Sequence, residues 1–224
     1  MKKNGVMVID QLKKDQQFRV SDGEKKTFVI FLIDGKNEVG RVKIIIEGRK
    51  AKVQILGIVL GFGQQRIELE TLQDHRKGNS ISDLLIKAVL FDKAKMNYRG
   101  LIKIEKNAQK SNAYQKNQTI LMSKNAWADT RPYLEILAND VRCTHGSTLG
   151  QLDKEQLYYL ETRGIGKNEA TKLLINGFLK DVLERISDDN ITRELEKKIS
   201  DKVDKLLDGF RVKNGMTERL SFDY

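Results

Sequence analysis

A mainly β chain ending in a small α-helical domain is what these 224 residues predict. From about Thr27 to Asn139, apolar runs rich in β-branched residues alternate with Gly, Asn, Asp and Lys. From Asp153 the apolar residues switch to a helical period. Between the two lies DVRCTHGSTLG (Asp140–Gly150), holding the single cysteine and one of two histidines.

In order, FVIFLID (Phe28–Asp34), RVKIIIEG (Arg41–Gly48), KVQILGIVLGF (Lys52–Phe62) and RIELETLQ (Arg66–Gln73) open the β region. SDLLIKAVLF (Ser82–Phe91), YRGLIKIEK (Tyr98–Lys106), NQTILMS (Asn117–Ser123) and PYLEILAND (Pro132–Asp140) complete it. Val, Ile and Thr suit a pleated, half-buried surface, while the intervening Gly, Asn and Asp suit turns. In Leu101–Lys106 the alternation sends Ile102 and Ile104 inward and Lys103 and Glu105 outward. Among the loops between these expected strands, Asp34-Gly35 alone places an Asn-Gly or Asp-Gly pair where a two-residue hairpin turn would need it. Two architectures therefore fit, a sandwich or barrel and a parallel coil whose strands each lie on their counterpart one turn earlier. Asn79, Asn107 and Asn112, in the polar stretches Gln73–Ser80 and Lys106–Lys116, suit the corners of a coil without deciding between them.

After Asp153, a good helix N-cap, Leu157 and Leu160 share a stripe with Tyr158 beside them, and Gly164 ends the run. A second helix, with Gly166 and Asn168 at its start, carries Ala170, Leu173, Leu174, Gly177, Phe178, Val182 and Leu183. A third carries Ile191, Leu195, Ile199, Val203, Leu206, Leu207 and Phe210, a narrow stripe suited to packing on the other helices or on a partner. The expected organisation is a β core over 1–150, a helical domain over 151–210 and a flexible tail over 211–224. The helices could also cap the open end of a coil, whose edge needs cover.

One cysteine excludes an internal disulfide framework and suits a reducing compartment. Charges interrupt every apolar run of MKKNGVMVIDQLKKDQ, so no signal peptide is expected, and no run approaches the ~18 residues of a membrane span. The chain reads as cytoplasmic, without a membrane partner. Its net charge of +10 invites nucleic acid. The basic residues, however, have acidic neighbours (Lys103/Glu105/Lys106, Lys154/Glu155, Glu196/Lys197/Lys198), and the aromatics do not alternate with them. A lysine-rich solvated surface is the stronger reading; basic nucleic-acid binding is the weaker alternative.

Cys143 and His145 stand at i and i+2, so in an extended strand they share a face about 7 Å apart. A thiolate and an imidazole emerging together form a partial metal-ligand set, against which stands a buried small apolar cysteine and a satisfied core histidine. His75, in a polar stretch, reads as solvated. Lys87 lies amid Leu84-Leu85-Ile86 and Ala88-Val89-Leu90, either the outward member of an alternating strand or a buried ammonium, and outward is favoured. Trp127, Tyr158 and Tyr159 read as core or interface anchors. No phosphate-binding loop, no Ser/His/Asp set and no carboxylate cleft among Asp22, Glu47, Glu68, Glu70 and Asp74 supports an enzyme.

The stretch LEILANDVRCTHGSTLGQLDKEQLYYLETRGIGKNEATKLLINGFLKDVLERI (Leu134–Ile186) closely resembles the carboxy-terminal signature of the SufB/SufD family, scaffolds of Suf-type iron–sulfur cluster assembly. Asn97–Pro132 and HRKGNSISDLLIKAV (His75–Val89) also look like the family core, so the resemblance covers roughly residues 60–186. It implies a right-handed parallel β-helix followed by a small helical domain, and a non-enzymatic scaffold that pairs with a second SufB/SufD-like subunit as homodimer or heterodimer. It further implies a SufC-like ABC ATPase on the helices, around Tyr158, Tyr159, Arg163, Gly164 and Phe178, and a transient iron–sulfur cluster at the seam. His145 matches the family's interface histidine and Cys143 the cysteine of the SufD-like C-x-H-G motif. Thr144 and Gly146 stand where SufB-like members place acidic residues. Lys87 falls where SufB-like members carry a core lysine associated with passage of sulfur. The family's N-terminal helical region and longer β-helix find no room before Gly61, so a short, SufD-like form is expected. One chain brings Cys143 and His145, whereas a cluster takes about four ligands; a two-fold contact would double the set. The alternative is a structural partner without ligand chemistry.

Overall fold

Strand follows strand at a nearly constant interval, and that interval builds the fold. The structure, a computed structural model, describes residues 2–3 and 5–213. Its strands are β1 (Lys2–Lys3), β2 (Val6–Ile9), β3 (Gln16–Val20), β4 (Lys25–Leu32), β5 (Glu38–Ile46) and β6 (Lys52–Gly61). They continue as β7 (Arg66–His75), β8 (Ile81–Leu90), β9 (Lys95–Ile104), β10 (Asn112–Leu121), β11 (Trp127–Ile136) and β12 (Arg142–Gly150). Three helices follow, α1 (Lys154–Thr162), α2 (Lys167–Leu183) and α3 (Asp189–Lys213). The strands sort into a first sheet, β1-β2-β4-β6-β8-β10-β12, and a second, β11-β9-β7-β5-β3. Apart from β1 on β2, every pairing is parallel. Val6 lies beside Thr27, Lys25 beside Lys52, Lys52 beside Ile81, Ile81 beside Asn112 and Asn112 beside Arg142, so a turn takes 27 to 31 residues after a shorter first one of 21. The coil is therefore a parallel β-helix, and the sandwich and barrel are excluded.

Side-chain direction decides what fills it. Inward residues of both sheets, among them Phe28, Ile30, Ile44, Ile55, Ile67, Leu84, Ile86 and Met96, make one apolar core. Outward residues of the first sheet (Val29, Phe31, Leu56, Ile58, Leu85, Val89) pack under Ile175, Leu179 and Val182 of α2 and Ile191, Leu195, Ile199 and Val203 of α3. Buried on both faces, β6 and β8 need apolar residues at almost every position, as their sequences show. The second sheet keeps its outer face in water, so β7 alternates over most of its length. Successive corners lie so close that a Cβ at Gly48 would collide with the backbone of Ser21 and Asp22.

Several expectations are corrected. Strands begin well before Thr27, since β2 and β3 already belong to the coil; their short, lysine-flanked runs hid them. Strands β5, β9, β10 and β11 begin several residues before their apolar runs, because their first residues (Glu38, Lys95, Asn112, Trp127) are polar or exposed. The helices do not cap the coil's end. They lie along its side, and α2 touches β6 and β8. Ile102 and Ile104 face inward as expected, both fully buried. Asp153 caps α1, accepting from the backbone N–H of Glu155 and Gln156, and Gly164 follows its end with φ 83°. Except for the last turn of α3, the tail lies outside the described residues. No helix among the described residues is long and apolar enough to cross a membrane.

Leu179 is fully buried between α2 and the first sheet. Leu179→Ala should therefore cost about 2–5 kcal/mol, read as a lowered urea midpoint, with amide exchange rising in α2 and α3 before the inner strands.

Candidate ligand site at the open end of the coil

The strand that carries the rare donors is the last of its sheet. β12 pairs with β10 alone, Ala113 beside Cys143 and Gln115 beside His145. Ala113 and Gln115 are buried inside the coil, so Cys143 and His145 share the inward lane of the final turn. Cys143 is half-buried against Ile102, Ile104, Ala108, Ala113 and Ala138, while His145 is exposed. Burial raises the Cys143 thiol above its ordinary pKa. It must lose a proton to bind metal, so ligation here is favoured by alkaline pH.

No further turn covers this lane. Leu134 and Ile136 of β11 also point inward, stacked on the buried Ile102 and Ile104, yet each is 39% exposed. Leu149 of β12 and Leu137 are about half exposed. Across the mouth, the hydroxyls of Thr130 and Ser147 meet at 2.5 Å. Both β11 and β12 are edge strands and so each presents a row of unpaired backbone groups. Among the described residues no group of three or more His, Cys, Asp or Glu side chains gathers as a metal site.

Comparison with known proteins places this architecture. Residues 13–178 match the family described as SUF system FeS cluster assembly, SufBD core domain. The chain belongs to the SufB/SufD family. It is 30% identical to the iron–sulfur cluster assembly protein SufD of Escherichia coli (strain K12) over 77% of its own length and 41% of that protein's. It is 36% identical to SufD of Bacillus subtilis (strain 168), over 65% of this chain and 33% of the relative. SufB of the same Bacillus strain matches at 29%, over 61% of this chain and 29% of the relative. The chain thus spans well under half the length of these relatives.

Lys87 of this SufB/SufD chain does face outward from the coil, but into α2 rather than water. Its Nζ donates to the Phe178 carbonyl at 2.8 Å, pairs with Asp181 at 2.9 Å and sits 4.5 Å from the Phe178 ring. Burial acts to raise the Asp181 carboxyl, yet Lys87 and Arg185 outweigh it and hold it below its ordinary value. Arg185 extends the set to Asp83 on β8, at 3.6 Å. Asp181 in the last turn of α2 and Arg185, four residues on and just past the helix end, were the available signal for this clasp, but nothing in the sequence tied them to Lys87.

His75 is corrected outright. It is fully buried, with Nδ1 2.8 Å from the Ser80 hydroxyl and Nε2 2.7 Å from that of Ser82. Around it the coil's interior is polar. Thr71 meets the Tyr98 hydroxyl at 2.8 Å, and Gln115, beneath His145, takes a bond from Gln73 at 3.4 Å and gives one to the Gly100 carbonyl at 3.2 Å. On the helices, Tyr158 and Tyr159 are 69% and 56% exposed, and the Arg163 guanidinium lies over the Tyr159 ring at 5.1 Å. Phe178 does not join them at the surface; it turns toward the sheet and Lys87.

Burial lowers His75 from 6.5 to about 4. The unfolded chain therefore takes up a proton near pH 6.5 that the folded chain refuses until about pH 4. Stability from this group is complete above pH 6.5 and falls by about 1.4 kcal/mol per unit as pH drops, roughly 3 kcal/mol in all. Urea titrations from pH 7 to 4 should show that slope, and His75→Gln should flatten it. Lys87→Ala should cost about 1–3 kcal/mol and speed amide exchange in α2, while Lys87→Met recovers part of the loss through its apolar stem.

Proposed function

We propose that this chain is a SufD-like scaffold subunit of iron–sulfur cluster assembly, pairing through the open end of its coil with a second SufB/SufD-like subunit. The observation that carries the reading is the uncovered last turn, where a thiol and an imidazole share one lane beside exposed Leu134, Ile136 and Leu149. Edge strands β11 and β12 supply free backbone partners for strands of the second subunit, and the exposed apolar residues supply area to bury. Each subunit contributes Cys143 and His145, so a nascent cluster, as cargo, is held at the seam by few ligands and released readily. The exposed Tyr158 and Tyr159, with Arg163 and Gly164, form the face on which a SufC-like ABC ATPase docks; Phe178, turned toward the sheet, stands apart from that face. Hydrolysis belongs to the ATPase, and this chain works as a non-enzyme. Its single free cysteine suits the reducing cytoplasm.

A second reading, a structural partner without ligand chemistry, is favoured by the packing of Cys143 against Ile102 and Ile104, which raises its thiol pKa. Anaerobic reconstitution with ferrous iron and sulfide separates the two. The ligand reading predicts visible charge-transfer absorbance that rises between neutral and mildly alkaline pH and drops severalfold in Cys143→Ser and His145→Ala. Parent-like absorbance in both variants, with pairing intact by ultracentrifugation, leaves only the structural role.

A further inference from the structure

The corners that lead from the second sheet back to the first stack into a ridge, and the ridge is positively charged. Lys50, Lys52, Lys77, Lys106, Lys110 and Arg142 all stand in solvent along it. Among the described residues none of the six forms an ion pair. Nearby carboxylates are already taken: Glu24 by Lys26, Glu47 by Arg19, Asp74 by Arg76 and Glu105 by Lys103. Asp22 and Asp140 remain, the first accepting the backbone N–H of Arg49. The scatter of basic residues along the sequence thus resolves in space into one cationic strip. Turns about 5 Å apart keep neighbouring charges within the ~8 Å screening length, so they act together.

Two of the six cations occupy a backbone conformation that lysine adopts rarely. The corner apices Gly23, Lys50, Asn79 and Lys110 have φ of 70°, 57°, 59° and 60°. Glycine and asparagine take this region most readily, whereas Lys50 and Lys110 hold it under strain while projecting ammonium groups from the apex. At the ridge's end a cleft of about 430 Å³ is lined by Lys110, Ser111, Asn112, Asp140, Val141 and Arg142.

We propose that the ridge and cleft bind an extended acidic segment of a partner protein. Such a segment repeats its same-face side chains every ~7 Å and brings carboxylates to Lys110 and Arg142. Its backbone N–H groups can donate to Asp140 and to the Asn112 carbonyl oxygen. A phosphodiester backbone offers mostly acceptors and is repelled by Asp140, and no aromatic residue rises along these corners to stack bases. Docking there sets the partner against Arg142, the residue before Cys143, whether or not Cys143 ligates anything.

Fluorescence anisotropy with a labelled oligo-glutamate peptide tests this, beside single- and double-stranded DNA of matched charge. The peptide should bind the parent protein in a salt-sensitive manner and more tightly than either DNA. The combined Lys50→Gly, Lys110→Gly and Arg142→Gln variant should bind at least about tenfold more weakly. Lys36→Gln with Lys93→Gln, exposed cations on the opposite corners, should change little. Glycine suits the positive φ at both apices, so the ridge variant keeps its fold; Arg142→Gln alone, weakening binding about threefold, provides an independent check. Parent-like peptide binding by the ridge variants, or DNA binding as tight as the peptide's, overturns the proposal.

Discussion

A coil of parallel strands satisfies its backbone by passing each hydrogen bond to the turn above, and its last turn has no turn to pass to. The candidate site follows from that terminal deficit. Leu134 and Ile136 occupy lanes that are fully buried one turn earlier, and they are exposed solely because the stack stops. Cys143 and His145 inherit the same position on the neighbouring sheet. Their pairing on one lane is a property of strand geometry; their accessibility is a property of the coil's end.

The helices answer a different need. The first sheet's outer face carries an apolar patch of its own, and α2 and α3 cover that patch along the side. Lys87 is a buried charge within that apolar patch, tolerated because a carbonyl, a carboxylate and an aromatic ring surround its ammonium. Side cover leaves the end free, and this arrangement lets one short chain offer two separate surfaces, an edge for strands and a helical face with tyrosines.

What the sequence reveals depends on how burial is written into it. Strands such as β6 and β8, covered on both faces, announce themselves as long apolar runs, interrupted in β8 by Lys87. Those with polar openings, such as β10, are found late, and β2 and β3 are missed because few residues mark them. The turn length is hidden because no residue type repeats with it; only the corner conformation does. Cys143 and His145 are legible because they are rare residues at strand spacing. The clasp of Lys87 is not, since its partner Phe178 lies 91 residues away and only the stacked fold brings them together. His75 misleads for the converse reason: its polar neighbours Ser80 and Ser82 look like solvent-facing loop but serve as its internal solvation.

Turn length varies from 21 residues between Val6 and Thr27 to 32 between Lys95 and Trp127 while the strand lanes stay in register, so the corners absorb the difference. The architecture is consequently modular along its axis. One repeat unit duplicated within the stack would lengthen the molecule by the thickness of a single layer, leaving the terminal donors and the strand edges unchanged. Reach between the two ends is thus a variable that evolution or an engineer can adjust independently of the chemistry.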